Sequence, residues 1–251
     1  MDMNKDFFKQ VLLHHHQWLL SSGKEGKQAN FKKAHLEETH LEGTHLEKAH
    51  LEGAFLEDAH LEGAFLYKAH LEKAHLVEAH LEEADLREVH LEGAHLEEAH
   101  LDKAHLEKAI LKGAHLEDAH LEEAHLEEAN LQRAYLIGGH LENAHLEGCF
   151  LQEANLKRAK LAGANLKDAH LEGAYLEEAD LQGADLRGTH LEGAYLVGAC
   201  LTDANLAGAY LEGAFLEGTD LDKAYLKGAY YEEDTLFPED FNPRSHGMIR
   251  I

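Results

Sequence analysis

The chain has 251 residues, enough for one or two globular domains, but its 44% hydrophobic content is mostly Leu and Ala with a single Trp. Any core is therefore narrow and uniform, which excludes a broad, mixed globular one. Lys and Arg number 23 against 48 acidic residues, a formal charge of −25. That excess opposes direct binding of nucleic acid, whose phosphates call for a basic surface. The 23 His would carry the net charge from −25 to −2 if all were protonated. A solubility minimum near about pH 5 is expected, because imidazoles titrate just above it.

In chain order, residues 5 to 22 read as a helix, with Asn4 as N-cap and Gly23 as terminator. Phe7, Phe8, Val11, Leu12, Leu19 and Leu20 give it an apolar side. His14, His15 and His16 read as an exposed face without functional weight. No charged stretch followed by an apolar one marks a secretory signal, and no apolar run approaches a membrane span. The expected setting is the reduced cytoplasm, away from membranes. Residues 1–28 are assigned to this helical cap.

Residues 29–233 are a repeat. From Phe31 to Tyr231 every fifth residue is large and apolar, and Leu holds all 39 sites from Leu36 to Leu226. Two positions earlier stands Ala in most units, replaced by Thr39, Thr44, Val89, Gly139, Cys149, Thr189 and Thr219. The result is 41 tandem pentapeptides without a slip. A period of five forms no amphipathic helix, since successive Leu would rotate by about 140° around the axis. It forms no continuous strand either, because an odd period alternates faces. Within a unit, however, Ala and Leu two apart point the same way. Each unit is thus a short extended side followed by a corner, and stacked units make an all-β solenoid.

Runs such as Ala164-Asn165-Leu166, Ala184-Asp185-Leu186 and Ala204-Asn205-Leu206 resemble the A-(D/N)-L-x-x units of the bacterial pentapeptide-repeat family. The stretch from Trp18 to Gly26 resembles the lead-in of some bacterial arrays of that kind. The resemblance implies a right-handed quadrilateral β-helix with four units, twenty residues, per coil, Ala and Leu inward and the other positions outward. Ten coils would give a rod about 48 Å long at a strand spacing of about 4.8 Å. This sequence departs from the family at the middle position, where His replaces Asp or Asn in 19 units. Beyond the repeat, residues 234–251 read as a turn-rich capping tail holding both prolines, Pro238 and Pro243, outside the ladder as backbone pairing requires.

Four units per coil would stack the middle positions in four columns. One reads His40, His60, His80, His100, His120, His140, with Glu42, Glu62, Glu82, Asp102, Glu122 and Glu142 two residues on. Imidazoles and carboxylates converging in this way are the donor types of transition-metal sites. A regular ladder singles out no particular ligand set, so no metal or other cofactor is expected. Cys149 takes an inward slot and Cys200 an outward one, so they do not pair. Nucleophile-elbow, P-loop, dinucleotide and H-E-x-x-H motifs are missing, and an uninterrupted rod offers no concave reaction site. The expectation is a protein that is not an enzyme.

Two functions follow. The first is a structural scaffold that presents ladder-like faces to an unknown protein partner. Tyr135, Tyr175, Tyr195, Tyr210, Phe215, Tyr225 and Tyr230 enrich the second half in aromatics, which favour interfaces, so contact or homodimerisation is placed in the C-terminal region. The alternative is a DNA-mimic inhibitor or protector of DNA gyrase or topoisomerase, an activity known among pentapeptide-repeat relatives. Residues 31–130 carry a net −16 and residues 131–230 a net −7, a line density near that of duplex DNA, about one charge per 1.7 Å.

Overall fold

The structure is a computed structural model and describes residues 5–251. Asn4, the expected N-cap, lies outside them, and the side chain of Phe7 is likewise not described. Every pentapeptide folds as one turn and one bridge. The carbonyl of the central residue accepts a hydrogen bond from the amide three residues on, as in Thr39 N to Leu36 O (3.2 Å) and Ala124 N to Leu121 O (3.1 Å). The third residue of the turn is left-handed at every corner from Lys33 to Gly228, with φ between 53° and 77°. That combination is the pattern of a type II turn.

Parallel bridges join each middle residue to the one twenty positions on, from Asn30↔His50 to Tyr210↔Tyr230. One coil is therefore twenty residues with four corners, as the family resemblance implies. Each unit makes three bonds between coils. In one such unit His60 N donates to Thr39 O (2.9 Å), Leu41 N to His60 O (2.7 Å) and Gly43 N to Glu62 O (3.0 Å). The inner coils satisfy their backbone from above and below, so only the two ends need covers.

The central Leu columns fill the axis and are at most 2% exposed from Leu36 to Leu216. Each contributes about 1.5–3 kcal/mol by leaving water. Beside Leu91 to Leu161 the axis holds a cavity of about 10 Å³, too small and too apolar for a stable water. The Ala slots are closed to large side chains, and several residues there that carry a donor use it. Cys149 Sγ donates to Leu126 O (2.7 Å), Thr189 Oγ1 to Leu166 O (2.8 Å) and Thr219 Oγ1 to Leu196 O (3.3 Å).

Helix α1, Lys5–Leu20, sits at the N-terminal end. Phe8, Val11 and Leu12 pack on the core, and the Phe8 ring lies 5.3 Å from Phe31. The helix stops two residues short of the expected Ser22. Gly23 N bonds Trp18 O (2.8 Å) and Ser22 N bonds Leu19 O (3.1 Å), with Ser22 left-handed at φ 54°. These are the two bonds of a Schellman ending. Leu20, the last residue of α1, is no part of the packed side and is 75% exposed.

His15 corrects the reading of the histidine triplet as an exposed face. It is fully buried, and its Nδ1 accepts the Ala29 amide at 3.1 Å. The chain can approach so closely because Gly26, at φ 75°, lies against the helix backbone. A Cβ there would collide with the His14 carbonyl and the Trp18 amide.

At the other end the register shifts by one residue. Leu236 bridges Phe215, a step of 21, because one extra residue stands between Tyr231 and Thr235. Leu236 thereby takes an outward slot and Thr235 the inward one, where its hydroxyl donates to Leu211 O (2.9 Å). The tail then turns through a 3₁₀ helix, Pro243–His246, capped by Asn242. Strand β2, Ile249–Arg250, pairs parallel with β1, Tyr230–Tyr231, and supplies the last rung.

Candidate functional site: the imidazole and carboxylate ladders

The middle residue and the residue two further on face outward side by side, and three chemistries use this pair. Where Asn stands in the middle, its Oδ1 accepts the amide two residues on, as in Asn130 with Gln132 N (3.1 Å) and Asn165 with Lys167 N (3.2 Å). Asp85 and Asp185 accept the same amide and a guanidinium as well, from Arg87 (2.7 and 2.6 Å) and Arg187. His reverses the polarity. Nδ1 meets a Glu carboxylate oxygen at 2.7 Å in His40–Glu42, 3.1 Å in His60–Glu62 and 3.5 Å in His80–Glu82. The backbone bridges set the register in which the rings stack. Centroids are 4.7 Å apart for His40–His60 and 4.9 Å for the next three pairs down to His120, with planes within 9°.

The column drawn from the sequence is thus contiguous, and the structure brings all twelve of its residues together. It is not uniform. Asp102 is one methylene shorter than Glu, and among the described residues it makes no ion pair with His100. Burial, and then the neighbouring Glu122 carboxyl, push the pKa of Asp102 up. At the lower end His140 tilts 40° from His120, with centroids 4.5 Å apart. Its Nδ1 turns from Glu142 to Glu122 Oε1 (3.4 Å), while Lys160 Nζ reaches its Nε2 (3.1 Å). Glu122 Oε1 also lies 3.5 Å from His120 Nδ1. The second oxygens of Glu62, Glu82, Glu122 and Glu142 are shielded from solvent and have no protein partner.

Electrostatics follow the His–Glu pairs. The Glu62 hydrogen bond raises the pKa of His60. The His35 and His40 hydrogen bonds hold Glu37 and Glu42 below the ordinary carboxylate range. Glu212 is pushed up by burial and by the carboxylates of Glu192 and Glu232.

The aromatic candidates fall on three columns. Tyr135, Tyr175, Tyr195 and Phe215 share one, with Leu236 below them. Tyr175–Tyr195 stack at 5.1 Å and Tyr195–Phe215 at 4.8 Å. Tyr210 and Tyr230 extend a second stack that runs from Phe150 through His170 and His190. Tyr225 stands on a third column and is 51% exposed. Sequence reading missed Ile137 and Val197, which flank the first column two residues after Tyr135 and Tyr195. It also missed Lys160, the cation that ends the imidazole stack. A cation as the next residue of the His column was the available signal.

Twenty residues per coil, left-handed corners and an apolar axis define a β-solenoid repeat protein. The sequence model described as pentapeptide repeats matches overlapping stretches from residue 27 to 193 and again 199–230, and the chain belongs to that family. HetL from the cyanobacterium Nostoc, a pentapeptide repeat protein involved in heterocyst differentiation regulation, is 32% identical over 87% of this chain and 94% of its own, with a TM-score of 0.35. Rfr23 from the cyanobacterium Cyanothece is 39% identical over 37% of this chain, with a TM-score of 0.37, and the match spans 63% of Rfr23. QnrB1, a plasmid-mediated fluoroquinolone resistance protein, is 16% identical over 65% of this chain and 82% of its own, with a TM-score of 0.44. Among curated proteins no sequence matches the chain. Among the described residues no helix is long and apolar enough to cross a membrane.

Proposed function

We propose that the chain is a non-catalytic scaffold, a right-handed quadrilateral rod, and that a protein partner docks on the column Tyr175–Tyr195–Phe215–Leu236. The carrying observation is the contiguity of this apolar ladder: stacked rings, Leu236 below and Val197 beside it, both 41% exposed. Flat, rigid aromatics lose little side-chain freedom on binding, which is why Tyr and Phe concentrate at interfaces. The partner is a second copy or another cytoplasmic protein. The test compares wild type with a Tyr175→Asn, Tyr195→Asn double variant, Asn being native to the middle position at Asn155 and Asn165. Sedimentation reads self-association, and cross-linked pull-down from host lysate reads other partners. The reading predicts that the variant loses the complex; identical complexes from both proteins refute it.

The DNA-mimic reading is less well supported. A mimic needs its carboxylates open to a basic partner, and here imidazoles face those that follow each middle His by two residues, with one oxygen of Glu62, Glu82 and Glu122 turned away from water. A gyrase supercoiling assay with and without quinolone is expected to show no effect at micromolar protein.

A further inference from the structure

We propose that His120, Glu122 and His140 form a divalent transition-metal site of the zinc class at the lower end of the imidazole column. Several His–Glu–His sets along the rod bring three donor atoms within 4.8 Å of one another. Proximity alone does not select among them; ring orientation does. The lone pair of an imidazole nitrogen lies in the ring plane. Rings stacked close to parallel, as in His40–His60 (6°), His125–His145 (3°), His95–His115 (11°) and, less closely, His70–His90 (21°), therefore cannot both aim at an ion between them. The 40° tilt of His140 against His120 removes that obstacle.

Distances agree with this selection. The Nδ1 atoms of His120 and His140 stand 3.5 and 3.4 Å from the same Glu122 oxygen. Adjacent ligands at about 2.0–2.1 Å from a tetrahedral zinc are about 3.3–3.5 Å apart. Asp102 and Glu142 lie one rung above and below Glu122, joined to it by the ladder bonds Lys103 N to Glu122 O and Glu123 N to Glu142 O, both 3.0 Å. A fourth donor would come from one of these neighbouring rungs or from solvent. The Glu142 Oε2 atom is shielded and has no protein partner, and its own imidazole has turned away. An ion with nitrogen and carboxylate ligands fits borderline metals such as Zn²⁺ rather than Ca²⁺ or Mg²⁺.

Lys160 opposes the ion. Its ammonium donates to His140 Nε2 at 3.1 Å, which keeps the proton on Nδ1, the atom a metal needs free. Binding moves that proton to Nε2 and turns an acceptor into a donor, so Lys160 has to swing into solvent. Zinc and Lys160 thus compete for one imidazole tautomer.

The test uses the full chain without an affinity tag, titrated with Zn²⁺ by calorimetry and in competition with a chromogenic chelator. The sequence supplies variants that the fold already accepts, since Asn occupies middle positions at Asn130 and Asn165 and Gln follows the central Leu at Gln132 and Gln152. One tight 1:1 event is expected above the weaker background of the other histidines. His140→Asn and Glu122→Gln should weaken it by at least about tenfold. His80→Asn, in the parallel part of the stack, should leave it unchanged, and Lys160→Met should tighten it. Far-UV circular dichroism confirms that each variant is folded. The proposal is overturned if no 1:1 event separates from the background, or if His80→Asn weakens binding as much as His140→Asn.

Discussion

His15 Nδ1 accepts the amide hydrogen of Ala29 at 3.1 Å, and both residues are wholly buried. This bond ties α1 to the first rung of the solenoid. The His15 ring also stacks on Trp18 with centroids 5.7 Å apart, and Trp18 is the single Trp of the chain. Its fluorescence therefore reports the cap. His15→Leu keeps the bulk but strands the Ala29 N–H, which costs about 1–3 kcal/mol. The Trp18 transition of the variant should precede the loss of the β signal on heating, whereas in wild type the two should coincide. Coincident transitions in the variant would show that the bond does not hold the cap.

The corners carry the main local strain. Of the forty left-handed positions between Lys33 and Gly228, 17 are Gly and 23 are Lys, Glu, Asp, Asn or Arg. A left-handed L-residue costs about 1–2 kcal/mol, and Gly gives back about 0.5–1 kcal/mol through its greater unfolded-state freedom. Glu98→Gly should therefore raise stability by about 0.5–1 kcal/mol. Gly113→Val should lower it by more than about 1 kcal/mol, since a β-branched side chain is least tolerated at positive φ. A Cβ at Gly113 would meet nothing within 4 Å, so the loss would be conformational rather than a clash. Urea midpoints of the two variants test the pair.

The solenoid was legible because its signal is periodic: Ala and Leu two apart fix an inward face, and five residues fix one turn. How many units close a coil was not legible from the residues, since a period of five is satisfied by any number of sides. The His40↔His60 bridge settles it at four. The corner strain had a trace in composition, in that no β-branched residue occupies any third position from Lys33 to Gly228. His15 had none. Its burial depends on Gly26 passing against the helix, a tertiary contact with no local pattern. The tilt of His140 was equally hidden, because it goes with contacts to the adjacent rungs, Glu122 at Nδ1 and Lys160 at Nε2.

The two thiols should differ sharply in reactivity. Cys149 is buried in an Ala slot, its Sγ donating to Leu126 O, and burial pushes its pKa far up, so almost no thiolate forms. Cys200 stands on an outward column, half-buried and free. Native protein treated with iodoacetamide at pH 8 should gain one label, and protein in guanidinium two. Cys149→Ala should be nearly silent, because Ala fills the equivalent slot in the neighbouring units. Two labels on the native fold would contradict the inward placement of Cys149.

The ladders and the cap should respond to acid in opposite senses. The His60 pKa is raised by its Glu62 hydrogen bond. Its stabilisation is therefore full below the ordinary imidazole value, about 6.5, and is lost as pH rises through the raised one. Glu37 and Glu42 are lowered by their histidine partners. Theirs is full above the ordinary carboxylate value, about 4.3, and is lost as pH falls through the lowered ones. Together these groups favour the folded array most between about pH 4.3 and 6.5. His15 has its pKa lowered by burial, so its contribution is present above about 6.5 and is lost as pH falls. Lowering pH from 8 to 5.5 should thus raise the midpoint of the β transition while speeding hydrogen exchange at Ala29 and the Trp18 red shift. His60→Asn should reduce the gain in midpoint, and His15→Leu should abolish the pH dependence of the Trp18 signal. If cap and array respond in the same direction, the opposed shifts do not govern the acid behaviour.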